Sequence, residues 1–239
     1  MNDVITIIIL TGLAGACIPL GGTLAQFAQI RPLWMENELR HFIIAFGGGI
    51  LLGAVAFVLV PQGISSLGES IFAIVLIVLG AIVFFLVERS LGLRRREAPQ
   101  LMGMILDYIP EAIALGGLVA VGSNASALLA FLIAIQNLPE GFNAYRELHG
   151  LHQISVRKKL TTMILLVPLG PIAGVLGYYF LAEHESILGG IMLFSAGGIV
   201  YLIFQDIAPQ ARLEKHWAPP LGAVFGFCLA LLAELLVMH

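Results

Sequence analysis

Charged side chains are scarce in this sequence. Only 11% of its 239 residues are Asp, Glu, Lys or Arg, while 59% are hydrophobic. A soluble domain is nearer a quarter charged, so the composition is that of a membrane protein. Cysteine is almost missing: Cys17 and Cys228 lie in apolar runs near opposite ends, which excludes a disulfide framework or a zinc-knuckle spacing. Neither the HExxH pattern of a metalloprotease nor the G-x-S-x-G elbow of a hydrolase occurs. The amino terminus carries Asp3 instead of a basic region, so no cleavable signal sequence is expected. Basic residues are missing from every long apolar run.

Eight such runs are present, at about 4–28, 42–62, 71–87, 100–122, 125–145, 160–181, 187–209 and 218–238. Each approaches the roughly 20 residues that a spanning helix needs. Together they fill the chain and predict one all-α transmembrane domain over 1–239, with no separate soluble domain. All twelve Lys and Arg fall between odd- and even-numbered runs: Arg31 and Arg40, Arg89 and Arg94–Arg96, Arg146 and Arg157–Lys159, Arg212 and Lys215. The positive-inside rule then puts those loops in the cytoplasm and both termini outside. The basic clusters read as topology anchors in a lipid bilayer, not as a nucleic-acid surface.

Two sequence echoes link oppositely oriented spans. "FGGGILLGAVAFVLVPQ" from Phe46 and "FSAGGIVYLIFQDIAPQ" from Phe194 reach Pro-Gln after the same number of residues. "LDYIPEA" in the fourth span reappears as "IQNLPEG" in the fifth. Both echoes fit an inverted repeat, spans one to three against six to eight around central spans four and five, with a site near the midplane.

The second echo carries the chemistry. Residues four apart share a helix face, so Asp107 stacks with Glu111 and Gln136 with Glu140. Pro110 and Pro139 lack an N–H and disturb the turns around the Leu106 and Ile135 carbonyls. Asp107 lies eleven residues beyond Arg96, and Gln136 ten before Arg146, which is ~15 Å of helix and about half the apolar core. Carboxylates at that depth cost about 2.5–3.5 kcal/mol each on insertion scales. With every Lys and Arg outside the spans, only protons or a bound cation remain as positive partners. Asp107, Glu111, Gln136, Asn137 and Glu140 form an oxygen-rich set suited to a divalent metal. Asp206, one turn before Pro209, is a candidate ligand on the exit path. His149 with His152, in the loop after the fifth span, and His184 are weaker metal candidates; Glu88 and Glu234 read as span-end residues. The pairs Gly49/Gly53, Gly170/Gly174 and Gly222/Gly226 suggest close helix packing, within the chain or between copies.

These motifs resemble the ZIP family of divalent-metal transporters, particularly its GufA-like bacterial branch. "IQNLPEGFNAYREL" is similar to the family's fifth-span signature, "LDYIPEAIALGG" falls where the family has its fourth-span motif, and the two Pro-Gln segments resemble its second and seventh spans. The resemblance implies eight helices, a metal pathway between spans four and five, a homodimer, an inner-membrane location, and movement of Zn²⁺ or a related ion (Mn²⁺, Fe²⁺, Cd²⁺) into the cytoplasm. The metal is cargo and no cofactor is implied. Asp107, Glu111, Gln136 and Glu140 carry over as first-site ligands, with Asn137 weaker and Tyr108 weaker still. Asp107 and Tyr108 stand where His-Asn is usual, Asn137 and Val167 where carboxylates are common, and Gln62 and Gln210 where acids are common. These departures count against a second metal, and the all-oxygen set leans towards harder ions. Two other functions fit the residues: a metal-binding sensor without transport, and an intramembrane enzyme with Asp107 and Asp206 as a dyad, which their expected depths oppose.

Overall fold

The computed structural model describes residues 3–28, 33–68, 71–92, 99–150, 155–212 and 217–237. Arg31, Arg94–Arg96, His152 and Lys215 lie outside the described residues, as does the side chain of His149. The described secondary structure is helical throughout, as expected where backbone groups in hydrocarbon must satisfy one another. In chain order the helices are α1 (Asp3–Phe27), α2 (Leu33–Ala54), α3 (Val60–Leu67), α4 (Phe72–Gly92), α5 (Pro99–Ala120), α6 (Ala125–Gly150), α7 (Val156–Leu166), α8 (Leu169–Leu181), α9 (Glu185–Leu202), α10 (Ala208–Ala211) and α11 (Leu221–Val237). Among the described residues, seven continuous rods are long and apolar enough to cross a membrane; α11, at 17 residues, is apolar but shorter.

The helices outrun the apolar runs at the end that carries the basic residues. Arg40, Arg89 and Arg146 continue α2, α4 and α6, and Arg157 to Lys159 open α7. These residues were expected in loops; instead they sit on helix ends. Arg146 donates to the Ala28 carbonyl at 2.6 Å and lies over the Phe142 ring. Lys159 is buried beside the Tyr145 ring.

Two rods change winding midway. A π-helical turn, Val55–Leu59, joins α2 to α3, and a second, Ile203–Ile207, joins α9 to α10. Both end two residues before a proline, Pro61 or Pro209. A proline ring crowds the carbonyl four residues back and leaves it without a helix donor, and a widened turn relieves the clash. The two turns occupy the same register of the Pro-Gln echo, 148 positions apart.

Packing divides the rods into two groups. In one, α1 packs along α6, α5 along α8, and the two pairs touch through α1–α8 and α5–α6. In the other, α2 packs along α11, α4 along α9, and α3 crosses α9. The groups meet through α2–α6 and α5–α9. Spans one and six therefore go with the central pair, not with spans two, three, seven and eight. The principal pairings are retained when α1 is exchanged with α7–α8, α2–α3 with α9–α10, α4 with α11, and α5 with α6, although α6 also touches α11 with no comparable α4–α5 contact.

Close approaches repeat with it. A Cβ on Gly49 would strike the Ala223 carbonyl and one on Gly226 the Phe46 carbonyl; a Cβ on Gly197 would strike the Ile77 carbonyl and one on Gly80 the Phe194 carbonyl. Gly49/Gly197 and Phe46/Phe194 are equivalent positions of the echo. The expected small-residue pairs are thus engaged within the chain: Gly53 also meets Ala230, Gly222 the Phe42 carbonyl, Gly170 the Tyr108 hydroxyl and Gly174 Ile7.

Candidate metal site

The site forms where α5 and α6 run side by side. Gly122, at φ 66°, turns the chain after α5 so that α6 returns antiparallel. Antiparallel packing pairs the end of one motif with the start of the other. Gln136 therefore meets Glu111, and its Nε2 donates to Glu111 Oε2 at 2.6 Å. One turn nearer the basic end, Asp107 and Glu140 line a common cavity with Gly103, Met104, Leu202, Asp206 and Ile207. That cavity holds about 20 Å³, room for one water-sized species. Pro110 and Pro139 lie inside α5 and α6 at the level of these pairs.

The two levels differ in chemistry. At the upper one an acid is answered by an amide. At the lower one an acid faces an acid, and the π turn brings a third, Asp206. Gly103 lies alongside it, where a Cβ would make ordinary van der Waals contact with Asp206 Oδ2 at 3.8 Å. Asp206, on the second π turn, lines the same cavity as Asp107 and Glu140.

Burial makes this arrangement costly. Glu111, Gln136 and Asn137 are fully buried; Asp107, Glu140 and Asn143 are at most 8% exposed. Seven of their oxygens (Asp107 Oδ1, Glu111 Oε1, Gln136 Oε1, Asn137 Oδ1, both Oε of Glu140 and Asn143 Oδ1) accept no hydrogen bond from the protein. Each such group costs about 1–3 kcal/mol. All seven are acceptors, so protons or bound cations are the partners that would satisfy them. The donor set fits a divalent metal held by oxygens.

Among the described residues, no three His, Cys, Asp or Glu side chains close into a ready-made metal cage. The staggered geometry explains this. Asp107 and Glu111 are one turn apart, ~6 Å along the axis, so the three carboxylates of the two motifs occupy two levels. Completing either level takes an amide or Asp206.

Two candidates face elsewhere. Tyr108 donates from its hydroxyl to the Thr11 carbonyl at 3.0 Å, seated against Gly15 and Gly170. It is a strut to α1, not a ligand of the α5–α6 site. Asn137 donates from Nδ2 to the Ala14 carbonyl at 3.0 Å, which leaves only its Oδ1 for a cation. Asn143 was not singled out in the sequence, although it lies seven residues beyond Gln136 on the same helix face.

Away from the basic end, Leu115, Leu118, Leu129, Leu132, Ile133 and Ile199 are fully buried and pack as a plug. Towards the basic end, a cavity of about 1060 Å³ opens between α2, the second π turn and α11, with Arg212 and Trp217 at its margin. Ile207 lines both this cavity and the small one beside Asp107, Glu140 and Asp206.

Fold and site together define a polytopic α-helical membrane protein with an uncompensated cluster of oxygen donors buried between two central helices. No family-level sequence profile matches the chain. It is similar to proteins named zinc transporter ZIP11, at 36% identity for that of Bos taurus and 33% for that of Homo sapiens, each over 154 residues covering 54% of this chain. That alignment covers 41% of each relative, so the chain matches less than half the length of either. This homology supports the ZIP reading of the motifs, and the relatives' name is that of a transporter, not an enzyme.

Proposed function

We propose that this chain is a ZIP-type transporter carrying Zn²⁺ or a related divalent ion (Mn²⁺, Fe²⁺, Cd²⁺) across a membrane towards the cytoplasm. The observation that carries the reading is that buried Asp107 and Glu140 and half-buried Asp206 line one small cavity. A largely buried acid cluster of this kind is kept only where something offsets it, and a passing metal ion does so. Asp107, Glu111, Gln136 and Glu140 are the principal ligands, with Asp206 completing the set, while Asn137 is turned towards α1. The relatives' name favours Zn²⁺, while the all-oxygen set also accepts the harder ions.

The topology proposed is eight spans with both termini outside, α11 being the eighth, in one transport domain in the cell's inner membrane. The symmetric contact pattern and the paired π turns support the inverted repeat. Alternating exposure would come from one four-rod group moving against the other, because the site sits on their shared boundary. The plug then closes the outer side, and Ile207 stands between site and cytoplasm. The resemblance also implies a homodimer; the outward apolar faces of α4 and α11 offer surface for lipid or for a second copy.

Uptake into proteoliposomes tests this directly. Saturable influx of radiolabelled Zn²⁺, with Mn²⁺ and Fe²⁺ as competitors, is expected for the wild type and is lost in Glu111→Ala and Glu140→Ala. Metal binding without flux would make the protein a sensor. Uptake at wild-type rate in either variant would remove those residues from the pathway.

A further inference from the structure

We propose that Asn143 is a further metal ligand, taking the ion through its Oδ1 one turn beyond Glu140 on the way to the basic end. The inference rests on the transport reading and extends it to a residue outside the paired motifs.

At 100° per residue, Gln136, Glu140 and Asn143 fall within an arc of roughly 60° on α6. Asn143 therefore continues the face that carries the site. Asn137 and Gly141 look another way: Asn137 bonds the Ala14 carbonyl, and a Cβ on Gly141 would strike the Ile18 carbonyl, both on α1. Tyr145, against which Lys159 lies, is on the far side of the helix from the arc. The neighbouring side of α6, at Pro139, packs on the other rod group. Gly47 of α2 packs against Pro139, with a Cβ there 3.4 Å from its Cγ, and Gly48 packs against Ile207 of the second π turn. Asn143 follows Pro139 by about one turn on the same side of α6.

Its own state points to a ligand. Asn143 is 2% exposed, and its Oδ1 accepts no hydrogen bond from the protein. A structural asparagine in an apolar core uses that oxygen, because an unanswered carbonyl is costly. A neutral oxygen suits a release step, since it binds a divalent ion more weakly than the carboxylates it follows. The stripe thus descends from Glu140 through Asn143 to Glu147, which is partly exposed at the end of α6.

The test uses the purified full chain in detergent with Co²⁺ as probe. In Asn143→Cys, a bound Co²⁺ is expected to show thiolate-to-cobalt charge-transfer absorption above the wild-type baseline, which already includes Cys17 and Cys228. The same signal is expected to vanish when Glu140→Ala is added. Calorimetry on Asn143→Ala is expected to show Co²⁺ affinity reduced about tenfold, in the range that removing a metal-shell partner costs, with Asn143→Asp binding at least as tightly as wild type. Co²⁺ binding to Asn143→Cys with no charge-transfer band would overturn the proposal. If that variant does not fold, equal affinities for wild type, Asn143→Ala and Asn143→Asp overturn it instead. Wild-type protein that binds no Co²⁺ would overturn the metal-site reading itself, and this inference with it.

Discussion

Replacing Glu140 with leucine separates what the site costs the fold from what it does. Glu140 is 8% exposed, and neither of its carboxylate oxygens accepts a hydrogen bond from the protein. Each unanswered buried acceptor costs about 1–3 kcal/mol, and leucine has a similar volume without polar atoms. Glu140→Leu is therefore expected to be about 2 kcal/mol more stable than the wild type in chelator, after part of the gain is lost to imperfect repacking. For a chain of this size that is roughly a 4–8 °C rise in Tm. Metal reverses the comparison: saturating Zn²⁺ at about 100 times Kd stabilises the wild type by about 2.7 kcal/mol and leaves the variant unmoved. The assay is heating in detergent, with and without Zn²⁺, followed by gel filtration of the surviving protein. A variant less stable than wild type in chelator would show that Glu140 holds the fold through contacts. A variant that Zn²⁺ stabilises as much as it does the wild type would show that Glu140 is not a ligand.

Other expectations follow from the packing. Gly49→Ala and Gly197→Ala each drive a methyl into a neighbouring carbonyl, so each is expected to lower stability by about 1–3 kcal/mol; a large difference between the two in thermal unfolding would argue against their equivalence. Tyr108→Phe loses one hydrogen bond to the Thr11 carbonyl, worth about 0.5–1.5 kcal/mol, and should keep Zn²⁺ uptake within about twofold of wild type, whereas abolished uptake with normal folding would return Tyr108 to the site. With Cys17 and Cys228 replaced by serine, an impermeant maleimide should label Asn124→Cys only from outside the cell and Ser155→Cys only from inside; the reverse pattern would invert the topology.

The spans were legible because hydrocarbon demands long apolar runs, and the α5–α6 motifs because acids within such runs stand out. The same alphabet hid other features. Helix ends ran past the apolar runs because Glu38, Arg40 and Glu147 are good helix formers outside hydrocarbon. The π turns had only Pro61 and Pro209 as a sign. The grouping of α1 and α7–α8 with the central pair depends on glycine contacts across long sequence separations, which no periodicity encodes. Tyr108 reads as part of the motif, yet Gly15 and Gly170 open a place for its ring beside α1. Asn143 was visible as the seventh residue after Gln136 but lacked a charge to draw notice.

The central claim is that the buried oxygens between α5 and α6 hold a divalent ion. Anomalous diffraction from crystals grown with Cd²⁺ tests it most directly. The account predicts a peak bounded by Asp107, Glu111, Gln136 and Glu140 or, one turn lower, by Asp107, Glu140 and Asp206, and its loss in Glu140→Ala. Peaks confined to surface residues such as His184, with none between the two helices at saturating Cd²⁺, would contradict it.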